Sequence, residues 1–482
     1  MTSPDDPGAG PGRAARWRVL AATSFTIFVS TINSSALNVA LPSIMRDLRA
    51  GFAEVQWVIV IYLLSVTASL LVFGKIADAL GKRRVNLLGV VIFAAGSLGC
   101  GLAPGVWFLI GARGVQALGA AMMMATGPAI LADVFPPEER GSALGLQSTA
   151  VALGLTIGPA VGGLLLHAMS YRAIFLLNVP LAAAALIFLW LVLPPDRVRA
   201  ARGPFDWQGG ALWVAGLTAF MVLVLHGRSW GLADQRTLGA LAAAAVCLPA
   251  FVVRETRAAA PLLALRLLGR WELSVGLAAA FMSYVVSFMA TFIMPFYLDH
   301  VRHAGPDVMG VVMSSLPLAL LVVSGPSGWA SDRWGTRAPT VLGLLVAAAG
   351  LFLCARIDEG SGLAAAFAGM FVLGAGMGTF QSPNTSALLG AGGQAAHGVV
   401  SSLLATVRNM GMAMGIALGG ALFAWRFAAA TDGGTLDRYT PGQAAAFTDA
   451  MRLTFFVAAA LAIVATALSS LRGIPPKEGR SR

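Results

Sequence analysis

The sequence is poor in charged residues. Asp, Glu, Lys and Arg make up only 11% of its 482 residues, whereas soluble domains carry about 25%. Hydrophobic residues reach 57%, and the mean hydropathy is +0.78. So little charge in a chain of this length argues against a soluble protein. The composition indicates an integral membrane protein.

Cysteine is also scarce, and the residue patterns of enzymes are missing. Cys100, Cys247 and Cys354 are far apart in the sequence, so they form neither a disulfide framework nor a set of metal ligands. We interpret them as small buried apolar residues. A nucleophile–base pair, a metal cluster or a phosphate loop does not occur at a convincing spacing. We therefore expect no enzymatic activity, no cofactor and no bound metal.

The chain does contain a series of long apolar runs. A membrane-spanning helix needs about 20 apolar residues, and fourteen segments fit that requirement. The first run is longer than the apolar core of a signal peptide and lacks a convincing cleavage site, so we count it as a helix. The predicted spans are 19–42, 55–75, 84–103, 106–130, 142–167, 173–193, 207–226, 237–254, 273–297, 308–329, 339–356, 363–389, 398–425 and 450–471.

The distribution of basic residues predicts the orientation of these spans. Because the number of spans is even, both termini lie on one side. That side carries 21 of the 33 Lys and Arg residues, the other side carries 10, and Arg113 and Arg408 lie within spans. By the positive-inside rule, both termini are cytoplasmic. Topology thus explains the net charge of +11, and we expect no nucleic-acid partner.

A short loop signature occurs twice, after the second and the tenth predicted spans. All four of its positions recur 254 residues later, which indicates two related halves. Two membrane-embedded halves around a central site are typical of secondary transporters. The first copy consists of Gly74, Asp78, Gly81 and Arg83, and the second of Gly328, Asp332, Gly335 and Arg337.

The spacing of the two copies also predicts an insert between the halves. The copies lie eight spans apart, whereas two adjoining six-helix halves would place them six apart. Two extra helices must therefore separate the halves. We assign residues 1–18 to a cytoplasmic tail, 19–195 to the N-terminal half, 196–265 to a linker with two transmembrane helices, 266–473 to the C-terminal half and 474–482 to a second cytoplasmic tail.

Two more motifs lie within spans. The fourth span contains R-G-V-Q-A-L-G from Arg113, and the fifth contains G-L-T-I-G-P-A-V-G-G from Gly154. Together with the repeated loop, these motifs resemble the major facilitator superfamily, specifically its fourteen-helix drug:proton antiporter branch. The resemblance covers nearly the whole chain. It implies an all-α integral membrane protein with the major facilitator fold: two six-helix halves plus a two-helix linker insert.

The resemblance also implies roles for the two glycine-containing motifs. The repeated loop would act as a conformational latch formed by Gly74, Asp78, Gly81, Arg83, Asp332 and Arg337, with Arg83 pairing with Glu138 or Glu139. Ordinary orientation-setting charge explains the basic residues equally well, but not the repeated Asp and Gly. The antiporter motif would meet the opposite half, although close helix packing alone also explains its glycines. Its residues are Gly154, Gly158, Pro159, Gly162 and Gly163.

Arg113 is the strongest single candidate for a functional residue. A permanent charge within a span costs several kcal/mol and needs partners or water. The alternative is a structural arginine that binds backbone carbonyls of the first helix. Arg408 is a second arginine within a span.

The first span departs from the resemblance. The antiporter branch carries an acidic residue five positions before an N-V-A-L-P element, and here that position is Asn33. Asn33 cannot titrate, so proton coupling is in doubt, and the residue is either natural or engineered. Glu54 and Asp299, near the ends of spans, are the alternative proton carriers.

We expect a substrate site between the halves. A pore with two arginines and no carboxylate at mid-span suits neutral amphiphiles, anions or zwitterions better than dications. Each candidate lining residue has the alternative of facing lipid or the protein core. The candidates for the substrate or coupling cavity are Asn33, Asn38, Arg113, Gln116, Tyr284, Phe288, Gln381, Asn384 and Arg408.

The resemblance implies an exporter of amphipathic small molecules that works by alternating access and exchanges protons. We expect a monomeric, multi-pass protein surrounded by lipid in a cytoplasmic membrane of bacterial type. One alternative is an exporter or flippase of lipids or lipid-like metabolites. Another is a sensor or scaffold that uses a transporter fold.

Overall fold

The computed structural model describes residues 13–196, 206–231, 234–258, 269–392 and 397–471. These residues form helices and connections, without a β-strand. A π-helical turn, Tyr297–Val301, extends α9. The fourteen long helices are α1 (Arg13–Asp47), α2 (Phe52–Leu80), α3 (Lys82–Gly101), α4 (Val106–Val134), α5 (Pro137–Ala168), α6 (Tyr171–Val192), α7 (Trp207–Trp230), α8 (Gln235–Arg257), α9 (Trp271–Phe296), α10 (Pro306–Trp334), α11 (Arg337–Ala355), α12 (Leu363–Gly392), α13 (His397–Ala430) and α14 (Ala444–Ser470).

The prediction of fourteen spanning helices is confirmed. Each helix is long and apolar enough to cross a membrane. Most of the helices are longer than the apolar runs; α1 begins at Arg13 and α14 at Ala444, each six residues before its predicted span. An apolar run marks the part of a helix that lies in hydrocarbon, whereas backbone hydrogen bonding continues through flanking polar residues.

The helices form two bundles. Helices α1–α6 pack around the pairs α1–α5 and α3–α4, and α9–α14 pack around the pairs α9–α13 and α11–α12. Helices α7 and α8 pair with each other, and α7 contacts one helix of each bundle, α2 and α13. The predicted tail 474–482 lies outside the described residues, as do 1–12 of the first tail and parts of the linker.

Helix packing inside the bundles shows the internal repeat. A Cβ added to Gly119 of α4 would lie 2.8 Å from Phe93 Cα on α3. At the equivalent place in the second bundle, a Cβ on Gly376 of α12 would lie 2.7 Å from Ala347 Cα on α11. Phe93 and Ala347 are 254 residues apart, the offset of the loop signature, and the two glycines are 257 apart. The repeat therefore extends into helices whose sequences show no obvious match.

Two of the signature glycines end helices in the same way. Gly81 follows α2 with φ of 104°, and Gly335 follows α10 with φ of 82°. Glycine adopts positive φ without steric cost, so each residue turns the chain directly into the next helix. We call the end of the molecule that carries these two turns the signature end. The far end is the opposite one, with the α1–α2 and α9–α10 connections.

Candidate functional site

The two bundles pack tightly against each other at the far end. A Cβ on Gly163 of α5 would lie 3.0 Å from Gly310 Cα of α10, and a Cβ on Gly310 would lie 2.7 Å from the Pro159 carbonyl oxygen. Such a close approach leaves no room for side chains at these positions. The last glycine of the antiporter motif therefore forms a contact between the halves.

The second bundle makes the equivalent contact. A Cβ on Gly420 of α13 would overlap Gln56 Nε2 of α2. Gly420 lies 257 residues after Gly163, and Gly310 lies 254 residues after Gln56. The fifth helix of each half thus packs, through a glycine, on the second helix of the other half.

An aromatic cluster lies beside these glycines in the interface between the two bundles, which we call the seam. The ring of Phe52, at the start of α2, lies 5.4 Å from Phe292, 5.1 Å from Phe296 and 5.7 Å from Phe423. The last three residues belong to the second bundle, and all four rings are buried. Centroid distances of 4.5–7 Å are favourable for aromatic pairs, so the cluster stabilises closure of the far end.

Polar contacts also join the halves in this region. Arg46 of α1 forms an ion pair with Asp299 in the π-helical turn. His167 Nδ1 lies 3.6 Å from Asp307 Oδ1. Nearer the middle of α5 and α10, Thr156 Oγ1 donates to the Pro317 carbonyl at 3.3 Å. Asp299, a predicted proton carrier, therefore has a basic partner from the opposite half.

At the signature end, the predicted latch residues are open to solvent. Asp78 and Asp332 are exposed, and within the described part of the chain neither makes a hydrogen bond or ion pair. A Cβ on Gly74 would meet no atom within 4 Å, and a Cβ on its repeat counterpart Gly328 would meet only Ser382 Oγ of its own half, at 2.9 Å. The seam between the halves is thus packed at the far end and loose at the signature end.

The signature arginines have equivalent partners within their own halves. Arg83 Nη2 donates to the Trp190 carbonyl near the end of α6 at 2.8 Å, and Arg337 Nη2 donates to the Ser470 carbonyl at the end of α14 at 2.5 Å. Each arginine binds the carboxyl end of the last helix in its half, where cations are favourable. Arg83 and Arg337 therefore each stabilise the carboxyl end of the sixth helix in their own half in this conformation.

The expected pairing of Arg83 with Glu138 or Glu139 is not observed among the described side chains. Glu139 lies 3.4 Å from Arg16 of α1, and the side chain of Glu138 is not described. Asp196 binds the start of α3, where it accepts from the backbone N–H groups of Arg83 at 2.8 Å and Arg84 at 3.1 Å.

The glycine stripe of α5 packs within its own half. A Cβ on Gly158 would overlap Ser35 Oγ of α1, and a Cβ on Gly154 or Gly162 would also meet α1 at about 3 Å. Ser35 Oγ donates to the Gly154 carbonyl at 3.0 Å. The stripe was expected to meet the opposite half, but only the adjacent face with Pro159 and Gly163 does so.

Arg113 is fully buried inside the first bundle. Its Nε donates to the Val58 carbonyl at 3.1 Å, and Nη1 donates to Gln116 Oε1 at 2.6 Å. Gln116 Nε2 in turn donates to Ser97 Oγ at 2.7 Å. The guanidinium lies 4.1 Å from the centre of the Tyr62 ring, a cation–π contact. Arg113 has no carboxylate counterion among the described residues, and its Nη2 has no hydrogen-bond partner there.

The Arg113 network extends to α1 through Tyr62, whose hydroxyl lies 2.9 Å from Ser30 Oγ. Asn33, one turn further along α1, does not join it. Its Oδ1 accepts from Asn178 Nδ2 of α6 at 2.7 Å, and its Nδ2 has no partner in the described part of the chain. Asn33 is 1% exposed, so it lies inside the bundle rather than at an open surface.

The first helix of each bundle has one partly exposed face. On α9 this face carries Phe281, Tyr284, Phe288 and Thr291, between fully buried residues. On α1 the equivalent face carries Ser24, Phe28 and Thr31. Because α1 and α9 are surrounded by other helices, these faces border the space between the bundles.

Arg408 lies beside the exposed face of α9. It precedes Gly411 by one turn of α13, and a Cβ on Gly411 would lie 2.9 Å from Tyr284 Cβ. Arg408 is partly exposed and lies within electrostatic range of Tyr284. Among the described residues it has no acidic partner. Arg408, Tyr284 and Phe288 are therefore the predicted cavity residues that the structure brings together.

The other predicted cavity residues are dispersed. Gln381 is partly exposed on α12, whereas Asn38 is buried. Asn384 is buried and donates to the Gly276 carbonyl at 3.4 Å. Glu54 Oε2 accepts from the Gly51 backbone N–H at 2.9 Å and so caps α2.

The sequence analysis did not identify a second glycine stripe, on α13. Gly411, Gly415 and Gly419 of α13 pack on α9, where added Cβ atoms would meet Tyr284, Phe288 and Met289. They lie 257 residues after Gly154, Gly158 and Gly162. Adding 257 to each position of the antiporter motif would have found this stripe and Gly420.

Comparison with known proteins identifies the family. A sequence profile described as "Major Facilitator Superfamily" matches residues 23–270 and 276–482. The chain belongs to the major facilitator superfamily. It is therefore a membrane transporter rather than an enzyme.

Relatives and solved structures agree with this assignment. The chain is 30% identical over 409 residues to the riboflavin transporter RibZ of Clostridioides difficile (strain 630), covering 85% of this chain and 88% of RibZ. It is 31% identical over 442 residues to the tetracenomycin C resistance and export protein of Streptomyces glaucescens, covering 91% and 82%. A bacterial homologue of the lysosomal transporter Spinster, solved in an inward-facing occupied conformation, shares the fold with a TM-score of 0.67, 17% identity and coverage of 96% and 97%.

Proposed function

We propose that this chain is a secondary active exporter of amphipathic small molecules that works by alternating access. The observation that carries the proposal is the asymmetric seam, packed by repeat-related glycines at the far end and loose at the signature end. Two pseudosymmetric bundles with one end closed correspond to one access state of a rocking transporter. The tetracenomycin C export protein and the riboflavin transporter among the relatives support transport of small molecules.

With both termini in the cytoplasm, as the basic residues favour, the far end faces the exterior. The substrate then enters from the cytoplasmic side in the conformation described above. The protein acts as a monomer embedded in a bacterial cytoplasmic membrane. Closing the signature end would bring Asp78 into contact with the opposite half and would form the latch.

The chemistry of the inter-bundle space favours neutral or anionic aromatic substrates. Arg408 supplies a positive charge without a nearby described carboxylate, and Phe281, Tyr284 and Phe288 supply an aromatic wall. Aromatic faces accommodate planar apolar molecules, and a guanidinium binds carboxylates or phenolates strongly where water is scarce. A dication at this place would be repelled by Arg408.

Proton exchange is the expected driving force, and Asn33 is not its carrier because an amide does not titrate. Transport assays in proteoliposomes test the whole proposal, with a panel of anionic, neutral and dicationic amphiphiles and with or without a pH gradient. We expect neutral and anionic compounds to be transported. Acidification of the compartment that corresponds to the cell exterior should accelerate their export.

A matched pair of variants tests the substrate class. Arg408→Gln should reduce transport of anionic compounds about tenfold, an effect of about 1.4 kcal/mol, and spare neutral ones. Arg356→Gln, at an exposed position after α11, should change neither. A preference for dications, or movement of fluorescent lipids instead of soluble amphiphiles, would replace this substrate class with another.

A further inference from the structure

Asp299 has one basic neighbour from each half of the protein. Arg46 of α1 forms an ion pair with Asp299 Oδ2 across the far-end seam. His300 Nδ1, from the same π-helical turn as Asp299, lies 3.2 Å from that oxygen. Arg46 and His300 therefore compete for the same carboxylate oxygen.

His300 is held in a poorly solvated place. Only 9% of its side chain is exposed, and its Nδ1 makes no hydrogen bond to any described residue. The imidazole packs against the rings of Tyr439 at 5.1 Å, Phe296 at 6.1 Å and Phe447 at 6.3 Å. A charged imidazole would lose its hydration here, and Arg46 already pairs with the Asp299 carboxylate that would otherwise stabilise it, so the closed far end favours neutral His300.

Hydrogen bonds hold the π-helical turn and the residue that follows it to the second bundle. Tyr297 Oη donates to the Asp358 carbonyl at 3.0 Å, and Arg302 Nη1 donates to the Glu359 carbonyl at 2.9 Å. Both acceptors lie in the α11–α12 connection. When the halves separate, Asp299 and His300 must therefore stay with the second bundle while Arg46 leaves with α1.

Separation of the halves changes the charge balance around His300. Without Arg46, the Asp299 carboxylate loses its counterion from the first half and becomes available to the imidazole. A nearby carboxylate stabilises a protonated imidazole. The surrounding groups do not replace Arg46, because Asp449 of α14 is paired with Arg426 of α13 at 2.6 Å. The other titratable or charged groups nearby are His303 on the same segment, Tyr439 from the α13–α14 connection and Glu359, which faces Tyr439.

We propose that Arg46, Asp299 and His300 form a proton-responsive gate at the far end. Opening exchanges the guanidinium of Arg46 for one proton, which water on the far side supplies to the imidazole lone pair of His300. Closing returns this proton to the same side, so the proton regulates access and is not transported. The gate rests on the proposed function, since it assumes that the far end opens during transport.

Linkage gives the sign of the effect. At His300 the open state binds one proton more than the closed state, so through this gate acidification on the far side favours opening. For one proton, the ratio of open to closed molecules changes by up to about tenfold per pH unit. The effect is confined to about pH 5–8, the range in which histidines titrate.

Distance measurements on the purified full-length protein without substrate test the gate. Spin labels at Leu102 and Gly362, exposed positions of the two halves near the far end, report its opening in a cysteine-free background. We expect the population with long distances to grow as the pH falls from about 7.5 to about 5.5. His300→Gln should abolish this response, whereas His303→Asn, at an exposed neighbouring histidine, should retain it.

Arg46→Gln provides a second test that does not alter His300. It should raise the open fraction at pH 7.5 and shift the remaining pH response toward higher pH. A wild-type response that persists in His300→Gln, or a wild-type protein without any response, overturns the gate. Because substrate is absent, a pH response in a protein that exports no amphiphile would keep the gate and refute the proposed function.

Discussion

Gly163 and Gly420 lie at equivalent positions of the two halves, and each packs against the second helix of the opposite half. Gly163 approaches Gly310 of α10, and Gly420 approaches Gln56 of α2. The two contacts are related by the internal repeat, so two equivalent glycine contacts close the far-end seam. A rocking motion about the pseudosymmetry axis would have to break both together.

Overpacking this seam should open the far end. Gly163→Leu places a side chain where Gly310 Cα would lie 3.0 Å from its Cβ. The overpacking cost of about 1–3 kcal/mol falls on the closed state, so the ratio of open to closed molecules should rise about 5- to 150-fold. Thiol labelling of a cysteine at Thr291, on the exposed face of α9, measures access from the far side.

The control for this prediction is Gly111→Leu, because a Cβ at Gly111 meets no atom within 4 Å. It should leave the labelling rate unchanged. Gly420→Leu should behave like Gly163→Leu because of the repeat. Equal labelling in Gly163→Leu and the wild type would show that this seam does not control access.

The α5 stripe should affect stability instead of access. Gly158→Ala forces a methyl group against Ser35 Oγ inside the first bundle and should lower the free energy of unfolding by about 1–3 kcal/mol. Gly145→Ala, on the same helix with nothing within 4 Å, should raise it by up to about 1 kcal/mol. Thermal unfolding in detergent compares the two, and a neutral Gly158→Ala would contradict the observed α1–α5 packing.

Much of the fold could be predicted because it rests on hydrophobic length and on an exact repeat. Fourteen apolar runs predict fourteen helices, since lipid forces the backbone to satisfy its own hydrogen bonds. The offset between Asp78 and Asp332 identifies two halves because both copies must form the same turn. These features depend on residues close together in sequence, or on one constant distance.

The partners of individual side chains could not be predicted in the same way. Arg83 binds the Trp190 carbonyl, 107 residues away, and a backbone carbonyl has no sequence signature. Asn33 binds Asn178, 145 residues away, and many other amides could have served. Such contacts depend on helix rotation and tilt, which neighbouring helices determine.

Asp78 should matter for transport although no described residue pairs with it in this conformation. Asp78→Asn removes the charge of the proposed latch and should slow turnover in proteoliposomes at least about tenfold, the effect of losing about 1.4 kcal/mol from one access state. Thermal stability should not change, because Asp78 is exposed here. Asp432→Asn, an exposed loop residue at the far end, is the control, and equal turnover in both variants would argue against a latch.

Arg113→Met separates a functional arginine from a structural one. Methionine fills similar space and removes a buried charge that lacks a described counterion, which offsets the lost hydrogen bonds to Val58 and Gln116. We therefore expect stability to change by less than about 2 kcal/mol while transport is lost.

Arg172→Met is the matched control, because Arg172 also binds a carbonyl, that of Gly101 at 3.1 Å, and lies 5.4 Å from the Tyr171 ring. Its replacement should preserve transport. Thermal unfolding and proteoliposome uptake provide the two readouts. Full transport by Arg113→Met would assign Arg113 to structure alone.

Asn33→Asp should introduce a titrating group into the core of the first bundle. The new carboxyl group can still accept from Asn178 Nδ2, as Asn33 Oδ1 does at 2.7 Å, but its ionised form would be desolvated at a site that is 1% exposed. Burial without a described basic partner favours the neutral acid. The variant should therefore be less stable than the wild type at pH 8 and regain stability as the pH falls, because protonation removes the buried charge.

The same variant should gain dependence on the pH gradient. A proton that binds and leaves Asp at position 33 alters the charge between α1 and α6, and α1 also contacts α9 and α10 of the other half. Coupling of that charge to access would increase gradient-driven export and improve acceptance of cationic substrates. Asn38→Asp, on the same helix, controls for added negative charge. If Asn33→Asp keeps the wild-type pH profile in both stability and transport, position 33 has no role in proton coupling.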